Sequence, residues 1–434
     1  MSWQWMLCLY VAALALLITI GCPIAVALGL AAILGIVVLH GGDLLPTVGD
    51  ILWNTGNSFT LVAIPMFILM GEIILETGVS RRFYRGLSTL LARAPGGLAH
   101  ANVLGCAMFS AISGSSVATA LTMGKVAMPE LRRRGYDLGL TTGSLAAGGT
   151  LGILIPPSIP MIIYAVAVQV SIVDLFMAGV IPGIVLTLLF MAWIAIALLR
   201  RRDLAPPSGG ARIAPAAALA ALADIAPLVL LIFATIGSLY FGLVTPTEAG
   251  AFGALAALAV GVGYGELTPR GLGGALSRTV VTTSVVFYII VTGAILAFGI
   301  VDAGIARGVT NAVVDAQLSP LQFFLLISLL YILLGMFIEG VSMMLLTVPV
   351  LYPSVLALGF DPVWFGVILV VFIELGALTP PMGLNLFAIH SVAGDVPLRT
   401  IIRGSFPFAL VMLLFLAILY VLPELALWLP ATLR

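Results

Sequence analysis

Apolar runs of the length a bilayer crossing needs, about 20 residues, follow one another along nearly the whole chain with short polar turns between them. They predict spans near 4–21, 24–40, 59–76, 139–169, 173–199, 225–243, 246–265, 279–300, 362–393 and 404–429. Two further apolar stretches, about 98–130 and 319–357, are interrupted at their middles and read as re-entrant hairpins that enter and leave on one side. The first contains a small, hydroxyl-rich run, Ser110-Ala-Ile-Ser113-Gly114-Ser115-Ser116. The span after it is broken by Ile155-Pro156-Pro157-Ser158, just beyond Gly148-Gly149-Thr150. A broken helix in apolar surroundings leaves backbone N–H and C=O groups unpaired, which a membrane tolerates only where the backbone is buried in protein or lines a cavity. Freed helix N-termini attract anions and freed carbonyls suit sodium or protons, so the pattern points to a transport site.

Composition narrows the class. Of 434 residues, 62% are hydrophobic and 8% charged, and the mean hydropathy is +1.24; a soluble domain of this size has far more polar surface. The net charge of zero gives no reason to expect a nucleic-acid partner. Cys8, Cys22 and Cys106 have no metal or disulfide spacing, and His40, His100 and His390 lie far apart. No GxxxxGK[ST] motif is present, so ATP is not the visible energy source. The N-terminal apolar run lacks a positive n-region and is followed at once by another, so it reads as a first span rather than a cleaved leader.

Charge sets the orientation. Arg81, Arg82, Arg85 and Arg93 precede the first hairpin, Lys125 lies in its second arm, and Arg132, Arg133 and Arg134 follow it. Arg200, Arg201, Arg202 and Arg212 share one linker, Arg270 and Arg278 the next, and Arg399 and Arg403 a later turn. Ten crossings and two hairpins put nearly all of these on one face, cytoplasmic by the positive-inside rule. Arg307 and Arg434 remain on the other face, and both termini are then periplasmic.

The halves repeat. Met128-Pro129 followed by Gly135-Tyr136-Asp137 recurs 224 residues later as Tyr352-Pro353 followed by Gly359-Phe360-Asp361, and Pro156-Pro157 recurs as Pro380-Pro381 at the same offset. Gly179 and Pro182 recur as Gly404 and Pro407, and Gly78 and Arg81 as Gly304 and Arg307, at nearly that offset. Five intervening spans invert the second copy, and inverted repeats whose broken helices meet near the midplane mark secondary transporters. The organisation expected is scaffold helices over 1–76, a first repeat over 77–200, a cytoplasmic linker over 201–224, scaffold helices over 225–300 and a second repeat over 301–434.

GEIILETG, FSAISGSSVAT, GGTLGILIPPS, TPTEAG and the LTPPMGLN end resemble the large membrane subunit of the tripartite ATP-independent periplasmic (TRAP) transporters, over essentially the whole chain. The resemblance implies sodium-coupled uptake of a small organic anion of the dicarboxylate, sialic acid or 2-oxo acid class across the bacterial or archaeal inner membrane. It implies two partners, a periplasmic substrate-binding protein and a small four-helix membrane subunit, here a separate chain. It implies no cofactor beyond Na+ as coupling ion. The fold expected is an all-α integral membrane protein like the elevator-type transporters of the ion transporter superfamily, with a domain carrying both hairpins that slides against a fixed scaffold.

Candidate residues follow from the two breaks. Ser110, Ser113, Gly114, Ser115 and Ser116, facing Gly149 and Thr150, offer the hard oxygens sodium takes, although small residues also let helices approach closely. A second sodium site is assigned to Gly335, Glu339 and Gly340 with Thr379, Met382 and Asn385. The substrate carboxylate is expected at Ser116, Pro156, Pro157, Ser158, Ser342, Pro380 and Pro381, against N–H groups and hydroxyls. Glu339 and Glu374 are ionisable at membrane depth and functional by default; for Glu339 a structural hydrogen bond is the equal alternative. Glu72 and Glu248 read as a cap or a buried ion pair. The rivals are a stand-alone sodium/carboxylate symporter and, more remotely, an intramembrane enzyme, which needs a nucleophile with a base or converging metal ligands.

Overall fold

The computed structural model describes residues 2–206 and 214–433. Arg212 and Arg434, counted in the charge argument, lie outside the described residues. Every regular element among the described residues is helical. Among the described residues, seven helices are each long and apolar enough to cross a membrane: Phe59–Glu76, Ile172–Arg200, Pro215–Tyr240, Pro246–Gly263, Pro269–Asp302, Gly340–Ala357 and Leu398–Val421. Trp3–Thr19 and Ile24–His40 are apolar but shorter, with 17 residues each.

Boundaries moved where local chemistry is strong. Pro215–Tyr240 begins inside the stretch read as a linker, because proline fits the first helical turn and the alanines after it favour helix. The expected 404–429 span is two helices, Leu398–Val421 and Glu424–Thr432, divided at Pro423. Leu45–Gly56 is a helix that the apolar pattern did not single out.

The repeat is visible element by element. Gly97–Ser113 and Ser116–Arg133 pack on each other as the first hairpin, and Pro320–Gly335 and Gly340–Ala357 form the second. Each hairpin is followed by a divided helix: Leu138–Thr150 with Ile159–Val168, and Pro362–Leu378 with Leu384–Ala393. The turn into each divided helix is the same device. Gly135 and Gly359 take positive φ, 75° and 78°, a conformation that costs glycine little. Two residues on, Asp137 and Asp361 cap the helices, accepting from Leu140 N–H at 2.8 Å and from Val363 and Trp364 N–H at 2.8 and 2.9 Å.

Two cores result. The smaller packs Met6, Tyr10, Leu14, Leu28 and Ile36 against Leu296 and Ile300; the larger runs through both hairpins and both divided helices. Pro362–Leu378 is buried on all sides from Trp364 onward, as a helix at the centre of a bundle must be. Ionic contacts tie neighbouring elements together. Arg82 donates to Glu266 at 2.8 and 2.9 Å and lies 4.7 Å over the Tyr264 ring. Arg278 donates to Glu72 at 2.7 Å and also to Glu76. Glu72 is thus ion-paired, and Glu248 closes a capping box with Thr245.

Candidate functional site

Both hairpin tips press on the divided helix of their own half, and glycines make the approach possible. Gly114 turns the first tip at φ +57°, and a methyl group there would lie 3.0 Å from the Pro157 carbonyl oxygen. From the facing helix, a methyl at Gly152 would sit 2.6 Å from Ser116 Cα, and one at Gly149 would sit 2.8 Å from Ala120 Cβ. In the second half, a methyl at Gly376 would lie 2.5 Å from Gly335 Cα, and one at Gly340 would lie 2.3 Å from Ile373 Cγ2. Gly152 and Gly376 are repeat partners, 224 residues apart. The sequence reading named neither, although the offset marks both.

The hydroxyls of the first half are engaged differently from one another. Ser110 donates back to the Cys106 carbonyl at 2.6 Å, one turn short of the tip, and Thr150 donates to the Ala147 carbonyl at 2.6 Å. Ser113 and Thr119 share a hydrogen bond of 2.6 Å. Ser115 caps Ser116–Arg133, accepting from Ala118 N–H at 3.4 Å, and Ser158 caps Ile159–Val168 in the same way from Met161 N–H. Donating a proton backwards leaves a hydroxyl's lone pairs, which are what a cation uses. Pro156, Pro157 and Ser158 are buried.

In the second half Glu339 stands where Ser115 stands in the first and does the same work. It caps Gly340–Ala357, accepting from Ser342 N–H at 3.2 Å; the structural hydrogen bond weighed for it is present. Ser342 is buried, and Thr379 donates to the Leu375 carbonyl at 2.5 Å. Pro380, Pro381 and Met382 are exposed.

One cluster joins the halves. Ser116 Oγ lies 2.9 Å from Glu374 Oε2, 2.9 Å from Asn385 Oδ1 and 2.7 Å from Asn385 Nδ2. Both Glu374 and Asn385 are buried. The hydroxyl has one proton to give, and the amide reaches it at the shorter distance, so the chain runs from Asn385 Nδ2–H to Ser116 Oγ and from Ser116 O–H to Glu374. The remaining carboxylate oxygen, Oε1, is buried without a hydrogen-bond partner. A second crossing link lies at the hairpin's base: Arg132 donates to the Ala393 carbonyl and, at 2.7 Å, to Asp395, whose carboxyl it holds below the usual carboxylate range. Arg133 and Arg134 pair with Glu130 instead.

Residues 11–425 match the family described as the tripartite ATP-independent periplasmic transporter, DctM component. The chain is 36% identical over 398 residues to the C4-dicarboxylate TRAP transporter large permease protein of Pseudomonas aeruginosa, covering 91% of each chain. It is 34% identical over 376 residues to the sialic acid TRAP transporter large permease protein of Vibrio cholerae, covering 86% of this chain and 87% of that one. In fold it is similar to the YdaH transporter of Alcanivorax borkumensis, with a TM-score of 0.65 at 15% identity over 90% of each chain. The chain belongs to the DctM family and is the large permease subunit of a TRAP transporter. Both of these relatives are named as permease proteins.

Proposed function

We propose that this permease subunit carries out sodium-coupled uptake of a small organic anion, delivered by a periplasmic binding protein and assisted by a small membrane subunit in the inner membrane. The observation that carries this reading is the junction at Ser116, where the first hairpin bonds directly to the second divided helix. Substrate bound beside that junction touches both halves, as a carrier that exposes one central site alternately to two sides requires. Sodium is assigned to the oxygen-rich tips: Ser110, Ser113, Gly114, Ser115 and Ser116 with Gly149 and Thr150 in the first half, and Gly335, Glu339 and Gly340 with Thr379, Met382 and Asn385 in the second. The substrate carboxylate is assigned to the space between them, at Ser116, Pro156, Pro157, Ser158, Ser342, Pro380 and Pro381. Relatives named for C4-dicarboxylate and for sialic acid support an organic acid.

In this reading the hairpins are re-entrant, both termini are periplasmic, and a domain carrying both hairpins moves as an elevator against the remaining helices. Coupling then requires that sodium and substrate together favour the state able to move. The test is uptake into proteoliposomes holding this chain and its small partner, with labelled carboxylates presented with and without binding protein and a sodium gradient. Uptake that needs both supports the reading; uptake with sodium alone transfers the chain to the stand-alone symporters.

A further inference from the structure

We infer that Glu374 is the positioning residue through which the cation sites of the two halves are coupled. The inference rests on the sodium reading above and concerns a residue that reading leaves without a role. Three observations converge on a single helical turn. Glu374 accepts from Ser116 of the first hairpin across 258 residues of sequence, at 2.9 Å. One residue before it, Ile373 meets Gly340 of the second hairpin, and two residues after it, Gly376 meets Gly335 of that same hairpin. The turn 373–376 therefore touches both hairpins at once.

The repeat shows that this is a departure from symmetry. The position 224 residues before Glu374 is Thr150, whose hydroxyl stays within its own helix on the Ala147 carbonyl. The first divided helix contacts its own hairpin through Gly149 and Gly152 but, among the described residues, places no side-chain acceptor across to the second. The acid is what lets one half report on the other.

The chemistry suits that task. A cation at the first tip fixes the backbone of residues 113–116 and so the direction of the Ser116 hydroxyl. That hydroxyl donates to Glu374 or leaves a fully buried carboxyl group with neither oxygen partnered, since Oε1 has none. An unpartnered buried polar group is costly, so ordering the first tip orders the turn 373–376, and with it the packing of Gly335 and Gly340 at the second. By linkage, cation binding at either tip then strengthens binding at the other.

The test is a sodium titration of thermal unfolding of the purified full-length chain, with potassium as the reference cation, for wild type, E374Q and E374A. Wild type is expected to gain stability cooperatively, with a Hill coefficient above one. E374Q keeps an acceptor for Ser116 and retains that cooperativity. E374A loses it, the Hill coefficient falling to one and the sodium midpoint rising about 5-fold or more. Should E374A unfold in potassium, E374L fills the same volume without the acceptor and takes its place. A cooperative wild-type response that E374A or E374L leaves unchanged overturns the inference alone. No sodium response in the wild type overturns the sodium reading and this inference together.

Discussion

The two divided helices open with the same aspartate cap, follow the same glycine turn and carry the same tandem prolines, yet their breaks meet different surroundings. The first break is buried from residue 151 to 160 except for half-buried Ile155, and its hairpin tip, with Ser113 and Ser116, is closed over it. At the second break Pro380, Pro381 and Met382 are exposed, Met382 to 50%, and so are Phe337 and Glu339 at the facing tip. The repeat thus preserves the order of elements and the tandem prolines, while the residues around them differ in exposure. Serines, threonine and glycine close the first half; methionine, phenylalanine and glutamate leave the second open.

The comparison breaks most readily at the glycines. Gly152→Ala and Gly376→Ala should each destabilise the protein by about 1–3 kcal/mol, because the added methyl meets backbone atoms that have no room to yield. Thermal unfolding in detergent checks this, and an unchanged transition would mean that the hairpins do not bear on the divided helices. Next in size are two threonines, one from each half. Thr150→Ala and Thr379→Ala should each raise the sodium concentration for half-maximal uptake several-fold, with the maximal rate less affected. A shift from only one of them would confine sodium to that half.

Smaller still is the effect of removing the open side chain. Met382→Ala should change stability by no more than about 0.5 kcal/mol, while a cysteine at 382 should react with an aqueous thiol reagent much faster than one at 154, where Leu154 is buried. Equal rates would erase the difference between the halves. The smallest effect lies away from both. Glu266, held below the usual carboxylate range by its hydrogen bonds from Arg82, stabilises the fold above the unfolded carboxylate pKa of about 4.3. That contribution fades as pH falls through its lower folded value. The pair is partly exposed, so Glu266→Gln should cost only about 0–1 kcal/mol, measured as a Tm difference at neutral pH that closes in acid.

Much of this fold was legible because membrane helices announce themselves by length and apolarity, and because a break within one needs a reason. The hairpins and the divided helices follow from breakers repeated at a fixed offset, and Asp137 and Asp361 stand among the landmarks of that repeat. Side-chain pairing across the halves was not legible. Nothing local in Ser116, Glu374 or Asn385 states that they meet, since their contact depends on how two inverted units interlock. Ser110 and Thr150 also engage in a way that residue type does not show: their hydroxyl protons go to carbonyls of their own helices, which leaves the lone pairs free. Gly152 and Gly376 were recoverable from the repeat, which places them together at the same point of each divided helix.

Coupling is the centre of the account, and the most direct measurement of it follows labelled sodium and labelled carboxylate together in the same proteoliposomes, with binding protein and small subunit present. Movement of each that depends on the other, in a fixed ratio, is the predicted result. Carboxylate uptake that proceeds while labelled sodium stays outside would contradict it.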